Sequence, residues 1–438
     1  MIGKTALARA ITAESITAEC FPTPELALRS NDPAKQAKVR AFAGEQAVAA
    51  RRVCGRLAAA LAAANDRGAR FNAVWTAFDA VQDWRYQLAL ASAEATGRYG
   101  RDRAERFRTQ ITDDTANYDR LGEVGRLREG SAYDQATRTW TGGEQTPASL
   151  AMRRIGELAA RRFAPGADVA HNHLVLPSGL YLVLPSGRAT GARLLRGDVA
   201  KAAADELTAR VAARGEDASQ MEVGGDLLYA ATGSTTDRRR IWAAAMGLLA
   251  GEYRNWTAAR NAWAKAAYLL YQAPQMKKGS DSVNRVFLVA AGTVLLGRPP
   301  VLLHDIDLRA YVLPEHEFVT ELLAVQPPEP AVQNERGAVL ELLEPQDYNS
   351  VQATYWTAYA RTAGAPIEAH ATGVNAVADA AARAGAATAL DRLADDLAAE
   401  SASVARTGED ARGTGVGLVL ALFLCRLAAN ELRAGGAR

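Results

Sequence analysis

"STTDRRRIWAAAMGLLAGEYRNWTAARNAWAKAAYLLY", residues 234–271, is the stretch that decides the fold class. Ser234 and Asp237 have the spacing of a helix-capping pair, and Trp256, Trp263 and Leu270 fall one heptad apart on a common face. Apolar side chains at three- and four-residue intervals mark an amphipathic helix, whose buried stripe needs other helices to cover it. The same spacing recurs in "AVAARRVCGRLAAALAAAN" at 47–65 and "FNAVWTAFDAVQDWRYQLALASAEA" at 71–95, inside a helix-forming region from about 37 to 105. It returns in "ASLAMRRIGELAARRF" at 148–163 and "DVAKAAADELTARVAAR" at 198–214. Helical packing therefore dominates.

One region departs from this pattern. "HNHLVLPSGLYLVLPSGRATGARLLRG", residues 171–197, repeats "LVLPSG" at 174–179 and 182–187, and its short β-rich runs broken by Pro-Ser-Gly turns predict a hairpin or small sheet. A Gly-, Asp- and Thr-rich segment at 113–147 reads as a long surface connection, and "VQPPEPAVQNERG" at 325–337 reads as a break. The fold class is thus mainly α, a helical bundle with a small β-hairpin or sheet insertion near 170–196. Three regions are expected: an N-terminal helical region over 1–147, a central α region with the β insertion over 148–326, and a C-terminal helical region over 327–438.

Composition narrows the class of partner. The 438 residues are 49% hydrophobic and 23% charged, values of a folded globular chain with a sizeable core. A net charge of +2 predicts no uniformly basic surface, although 51 Lys and Arg residues leave room for a local patch. Only seven of the 51 are Lys, and so Arg-rich and Ala-rich a chain points to a GC-rich, bacterial genome. Cys20, Cys54 and Cys425 are odd in number and lack C-x-x-C spacing, which argues against a disulfide framework or zinc finger. The opening stretch "MIGKTALARAITAESITAEC" has no apolar core of signal-peptide length, and the longest apolar run, "VGLVLALFLC" at 416–425, is about half the ~20 residues needed to span a bilayer. A cytoplasmic location without membrane insertion is expected, with that run as a buried terminal helix or a face for self-association.

The chemistry-bearing stretch is "QMKKGSDSVNRVFL", residues 275–288. Gly279 permits a tight turn, Ser280 or Asp281 can cap the helix that follows, and the first-turn N–H groups of that helix point outward. Lys277 and Lys278 stand beside them, and Arg285 lies about one and a half turns further on. Free N–H donors, the positive end of the helix dipole and two ammonium groups all favour an anion, and Arg285 could add a guanidinium clamp. Asp281 works against an anion unless it turns away or holds a cation. A capped helix with solvated lysines is the alternative.

This order also resembles the signature of the Fic/Doc family of nucleotidyl and phosphoryl transferases, H-P-F-x-[DE]-G-N-G-R-x-x-R, within the stretch 255–297. With Gly279 on the first glycine, Arg285 falls on the final arginine and an apolar helix follows. Pro274 stands at the histidine, Lys278 at the metal-binding acid, Ser280 at the asparagine and Ser282 at the first arginine. The resemblance implies loop amides that cradle a nucleotide diphosphate, with Mg²⁺ accompanying the nucleotide. The family's general base is missing from its place.

Five histidines offer a base elsewhere: His171, His173, His304, His316 and His370. An H-x-H pair on a strand points both imidazoles to one face, and a neutral-range pKa suits acyl or phosphoryl transfer. His171 and His173 are accordingly the expected catalytic pair. A metal site would need Asp305 or Asp307 and His316 to join them from a distant part of the chain, and no metal is assigned. "GKT" at 3–5 lacks the upstream glycine of a P-loop, "GTGVG" at 413–417 follows no strand, and there is neither a G-x-S-x-G elbow nor an H-E-x-x-H.

The leading expectation is an intracellular transferase-like protein that holds a phosphorylated ligand, a nucleotide first among them, at Lys277, Lys278, Gly279, Ser280 and Arg285. The basic runs "RYGRDRAERFR" at 98–108 and "RRR" at 238–240 support an alternative of a different class, an aminoacyl-tRNA-dependent transferase of specialised metabolism with tRNA as partner. A non-catalytic helical interaction protein, self-associating as a homo-oligomer, is the third.

Overall fold

Trp263, the middle residue of the heptad series, is wholly buried, and its indole N–H donates to the Leu288 carbonyl at 3.0 Å. Around this residue the computed structural model builds a mainly helical protein with small antiparallel sheets. It describes residues 13–96, 104–177, 187–253, 255–327 and Asp395. All but Asp395 lie in one unit of the chain, Met1–Pro328, and Glu329–Arg438 form a second. The C-terminal helical region expected beyond residue 327, with its apolar run at 416–425, His370 and Cys425, falls outside the described residues save Asp395. So do positions 1–12 and most of the second "LVLPSG".

The helices are α1 (Pro33–Arg40), α2 (Phe42–Ala63), α3 (Arg67–Thr96), α4 (Pro147–Ala160), α5 (Gly197–Ala213), α6 (Thr235–Ala250), α7 (Trp256–Gln272), α8 (Ser280–Leu296), α9 (Ile306–Val312) and α10 (Glu315–Ala324). The deciding stretch is therefore two helices. Ser234 accepts from the Asp237 N–H at 3.1 Å to start α6, Gly251 ends it, and Asn255 accepts from the Ala258 N–H at 2.8 Å to start α7. Helix α8 packs against α2, α3 and α7, and α6 packs against α3 and α7, so the bundle encloses Phe78, Ile241, Met246, Trp263, Phe287 and Leu288. Phe287 meets Phe78 edge-on with ring centroids 5.1 Å apart. Cys20 and Cys54 are buried in this core as free thiols, and burial raises both pKa values, that of Cys54 to about 11.

The expected hairpin is present as β4 (Val169–Leu176) and β5 (Gly187–Leu195). It extends into a four-stranded antiparallel sheet of order β1-β6-β5-β4, with β1 (Tyr118–Leu121) and β6 (Leu228–Ala231) added at the far side. The polar segment at 113–147 thus holds more than a surface connection. It supplies β1 and a two-stranded ribbon of β2 (Ala132–Asp134) and β3 (Thr139–Thr141). One sheet face lies on the bundle through α6, α7 and α9. On the other, α5 covers β6, with Ala200, Ala203 and Ala204 packed on Tyr229, Ala231 and Leu195.

The hairpin register slips between His171 and His173, where β5 takes three steps along the chain to two of β4. Gln272, wholly buried at the end of α7, holds this bulge. Its Oε1 accepts from the Ala192 N–H at 2.9 Å and from Asn172 Nδ2 at 3.2 Å, and its Nε2 donates to the Ala310 carbonyl. Gly191 is required there, because a Cβ would run into Gln272 Oε1. None of the described helices is long and apolar enough to cross a membrane.

Candidate functional site

Helix α8 starts on Gly279, whose φ of +83° lies in the left-handed region and whose absent side chain leaves no cap. Neither Ser280 nor Asp281 caps the helix, contrary to the expectation. Ser280 Oγ donates back to the Met276 carbonyl at 3.3 Å, and Ser282 Oγ donates to the Gly279 carbonyl at 2.9 Å. The glycine is also sterically enforced: a Cβ would stand 2.5 Å from the Phe107 ring. Arg85, from α3, lays its guanidinium 4.2 Å over that ring and donates from Nε to Ser282 Oγ at 2.8 Å. A second cation thus stands at the helix start, which 197 residues of separation hid from the sequence.

Between α3 and this helix start lies a shallow hollow of about 280 Å³ that includes open solvent. Phe78, Phe107 and Val283 form apolar walls, and Gln82, Lys278, Ser280 and Asn284 are among its polar lining residues. Asn284 is 3% exposed, and its Nδ2 has no hydrogen-bond partner. An unpartnered buried donor carries a desolvation cost. Ser280 and Asn284 share one face of α8 because they are four residues apart.

The two lysines part company. Lys278 is exposed and lines the hollow, whereas Lys277 is stitched to the 109–117 segment. Its N–H donates to the Thr109 carbonyl at 2.9 Å, its Nζ donates to the Thr115 carbonyl, and its own carbonyl accepts from Asn117 Nδ2 at 3.2 Å. Burial, then the cations Arg210, Arg106 and Arg238, bring its pKa down to about 8.

Arg285 is placed otherwise than expected. It is 1% exposed, on the face of α8 turned to the core, and its guanidinium donates to Asp281 Oδ1 at 3.0 Å, the Pro22 carbonyl at 2.9 Å, the Leu303 carbonyl at 3.1 Å and the His304 carbonyl. Arg285 is a structural tie rather than a ligand clamp. The same geometry removes the objection from Asp281, whose carboxylate turns inward to Arg285 and accepts from the Tyr271 hydroxyl at 3.1 Å. Asp307 and Asp119 lie beyond. Burial raises Asp307 well above the usual carboxylate range, with the Asp281 charge adding to it. Asp119 keeps contact with solvent yet is ringed by protein, which raises its pKa against the hydrogen bond from Tyr311.

His171 and His173 do not join this loop. They are exposed on β4, the strand at the opposite edge of the sheet from β1, and neither lines the hollow. Burial, then His173 and Arg193, lower the His171 pKa. His316 is exposed on α10 with Glu317 at 3.8 Å, and among the described residues no three His, Cys, Asp or Glu side chains converge as metal ligands. No family model and no curated protein matches the chain. The functional reading therefore rests on the α8 start and its hollow.

The half-buried Asp307 has a pH signature. Between the ordinary carboxylate range and its raised folded value, Asp307 holds a proton when folded that the unfolded chain has lost, so it makes stability fall as pH rises through that window. Asp307→Asn is expected to flatten this fall, gaining most over the wild type at the alkaline end. Urea midpoints measured across pH check it, and parallel profiles for the two proteins would show that Asp307 does not titrate in this window.

Proposed function

We propose that the start of α8 binds a phosphorylated small molecule, a nucleotide first among them, with the phosphate over the 280–282 amides and Lys278 beside it. The observation that carries this reading is the unpartnered, buried Asn284 Nδ2 in a hollow at an uncapped helix start. The helix dipole and the uncapped N–H donors favour an anion there, and the inward turn of Asp281 keeps the first turn open to one. The Fic-like spacing of Gly279 supports the same ligand class. Lys277 and Arg285 are left out of the contact set, being held by protein carbonyls and Asp281. The exposed Arg108 and Arg239, one from each basic run, support tRNA as a second reading, since a phosphate backbone draws on such cations, whereas Arg238 is 2% exposed and tied to the Gly233 and Ile111 carbonyls.

A thermal-shift panel of nucleotides with Mg²⁺, inorganic phosphate and pyrophosphate tests the proposal. A ligand present at 100 times its dissociation constant adds about 2.7 kcal/mol, a rise of several degrees. The rise should be much reduced in Lys278→Ala and in Asn284→Leu, and the latter should fold at least as well as the wild type because it removes an unpaired donor. No shift with any of these ligands overturns the reading. A steep salt-dependent retention of tRNA instead would favour the second.

A further inference from the structure

We propose that His171 and His173 form a two-imidazole chelate for one transition-metal ion on the exposed face of β4, a site separate from the α8 hollow. Both side chains are exposed, and residues two apart on a strand face the same way. Their rings stack with centroids 5.6 Å apart and planes inclined by 25°. Two imidazoles that share one ion through bonds of about 2.0–2.1 Å in tetrahedral geometry have centroids about 5 Å apart, so the separation already suits a shared ion and the rings must turn from stacked to nitrogen-edge inward to close the chelate.

The backbone beneath is held in place. Asn172, between the two histidines, points inward and is 2% exposed, donating to Gln272 Oε1 at 3.2 Å and to the Tyr311 carbonyl at 2.9 Å while accepting from Arg162 at 3.0 Å. The strand therefore presents both imidazoles from a fixed base, which lowers the ordering cost of chelation. The donor set is nitrogen only, and such a site prefers Cu²⁺ to Ni²⁺ and Zn²⁺. Waters complete the coordination. Arg193, directly across from His171 in β5, is a cation that the register places beside the pair.

Isothermal titration of the full chain with ZnCl₂, NiCl₂ and CuCl₂ tests the site. The expected result is one saturable ion per chain, held most tightly for Cu²⁺. Affinity should fall at least about tenfold in His171→Ala and in His173→Ala, since each leaves a single ligand. Arg193→Gln should tighten binding by removing the neighbouring charge. Electron paramagnetic resonance of the Cu²⁺ protein should show coupling to two imidazole nitrogens. Circular dichroism identifies any variant that has lost its fold, and these exposed positions leave the core intact. Absence of binding up to millimolar metal overturns the proposal, and so does binding that neither histidine substitution weakens.

Discussion

Arg285→Met should cost about 3–5 kcal/mol of folding stability, because it removes a buried guanidinium that serves three backbone carbonyls and pairs the part-exposed Asp281 carboxylate. The side chain is 1% exposed and joins three distant pieces of chain: Asp281 on its own helix, the Pro22 carbonyl near the N-terminus and the Leu303 and His304 carbonyls before α9. Methionine fills similar volume yet leaves the Pro22, Leu303 and His304 carbonyls without this donor, and it removes the cation that compensates Asp281 beside Tyr271 and Asp307. The loss would lower the melting temperature by on the order of 10 °C. Arg285→Lys keeps a charge without the planar fork and should fall between the two. Urea unfolding monitored by tryptophan fluorescence measures it, and a loss under about 1 kcal/mol would show that the carbonyls find other donors.

Gln272→Leu should be of comparable size for a different reason. Three buried groups depend on that amide, the Ala192 N–H, Asn172 Nδ2 and the Ala310 carbonyl, and each orphaned group costs about 1–3 kcal/mol. A total of at least about 3 kcal/mol is therefore expected, less whatever Asn172 recovers through Tyr311 and Arg162. Because the same amide fixes the bulge between β4 and β5, the variant should also lose part of its metal affinity without either histidine being touched. Calorimetric unfolding and the metal titration, done on the same preparation, separate the two effects. Unchanged stability would mean that the leucine repacks against Gly191 and the bulge relaxes into regular pairing.

The helices were legible because their period repeats over many turns, and Trp263 and Leu270 are buried as their heptad positions imply. The hairpin was legible from its β-rich runs and turn residues. Strands β1 and β6 were not, since "YDRL" and "LYAA" are very short and owe their extended form to pairing with each other across a long stretch of intervening chain. At the candidate site, glycine announced the turn into α8, but which cation lines the hollow was decided by long-range partners. Lys277 turned to Thr115 and Arg285 to Pro22, and neither contact has a local signature. Asn284 carries a signal legible in the sequence: it stands four residues after Ser280, on the same helical face. Arg85 and Phe107 carried none.

The two thiols buried at Cys20 and Cys54 give the protein a chemical silence of their own. Cys54, with a pKa near 11, is about one thousandth thiolate at pH 8, and burial raises Cys20 in the same direction while closing both sulfurs to reagents. Oxidants and alkylating agents therefore meet these cysteines only in molecules whose bundle has opened. Cys20 belongs to the N-terminal segment whose carbonyl accepts from the Leu302 N–H at 3.3 Å, and Cys54 sits inside α2. The order in which the two sulfurs become reactive thus records whether that segment peels from the bundle before α2 comes free.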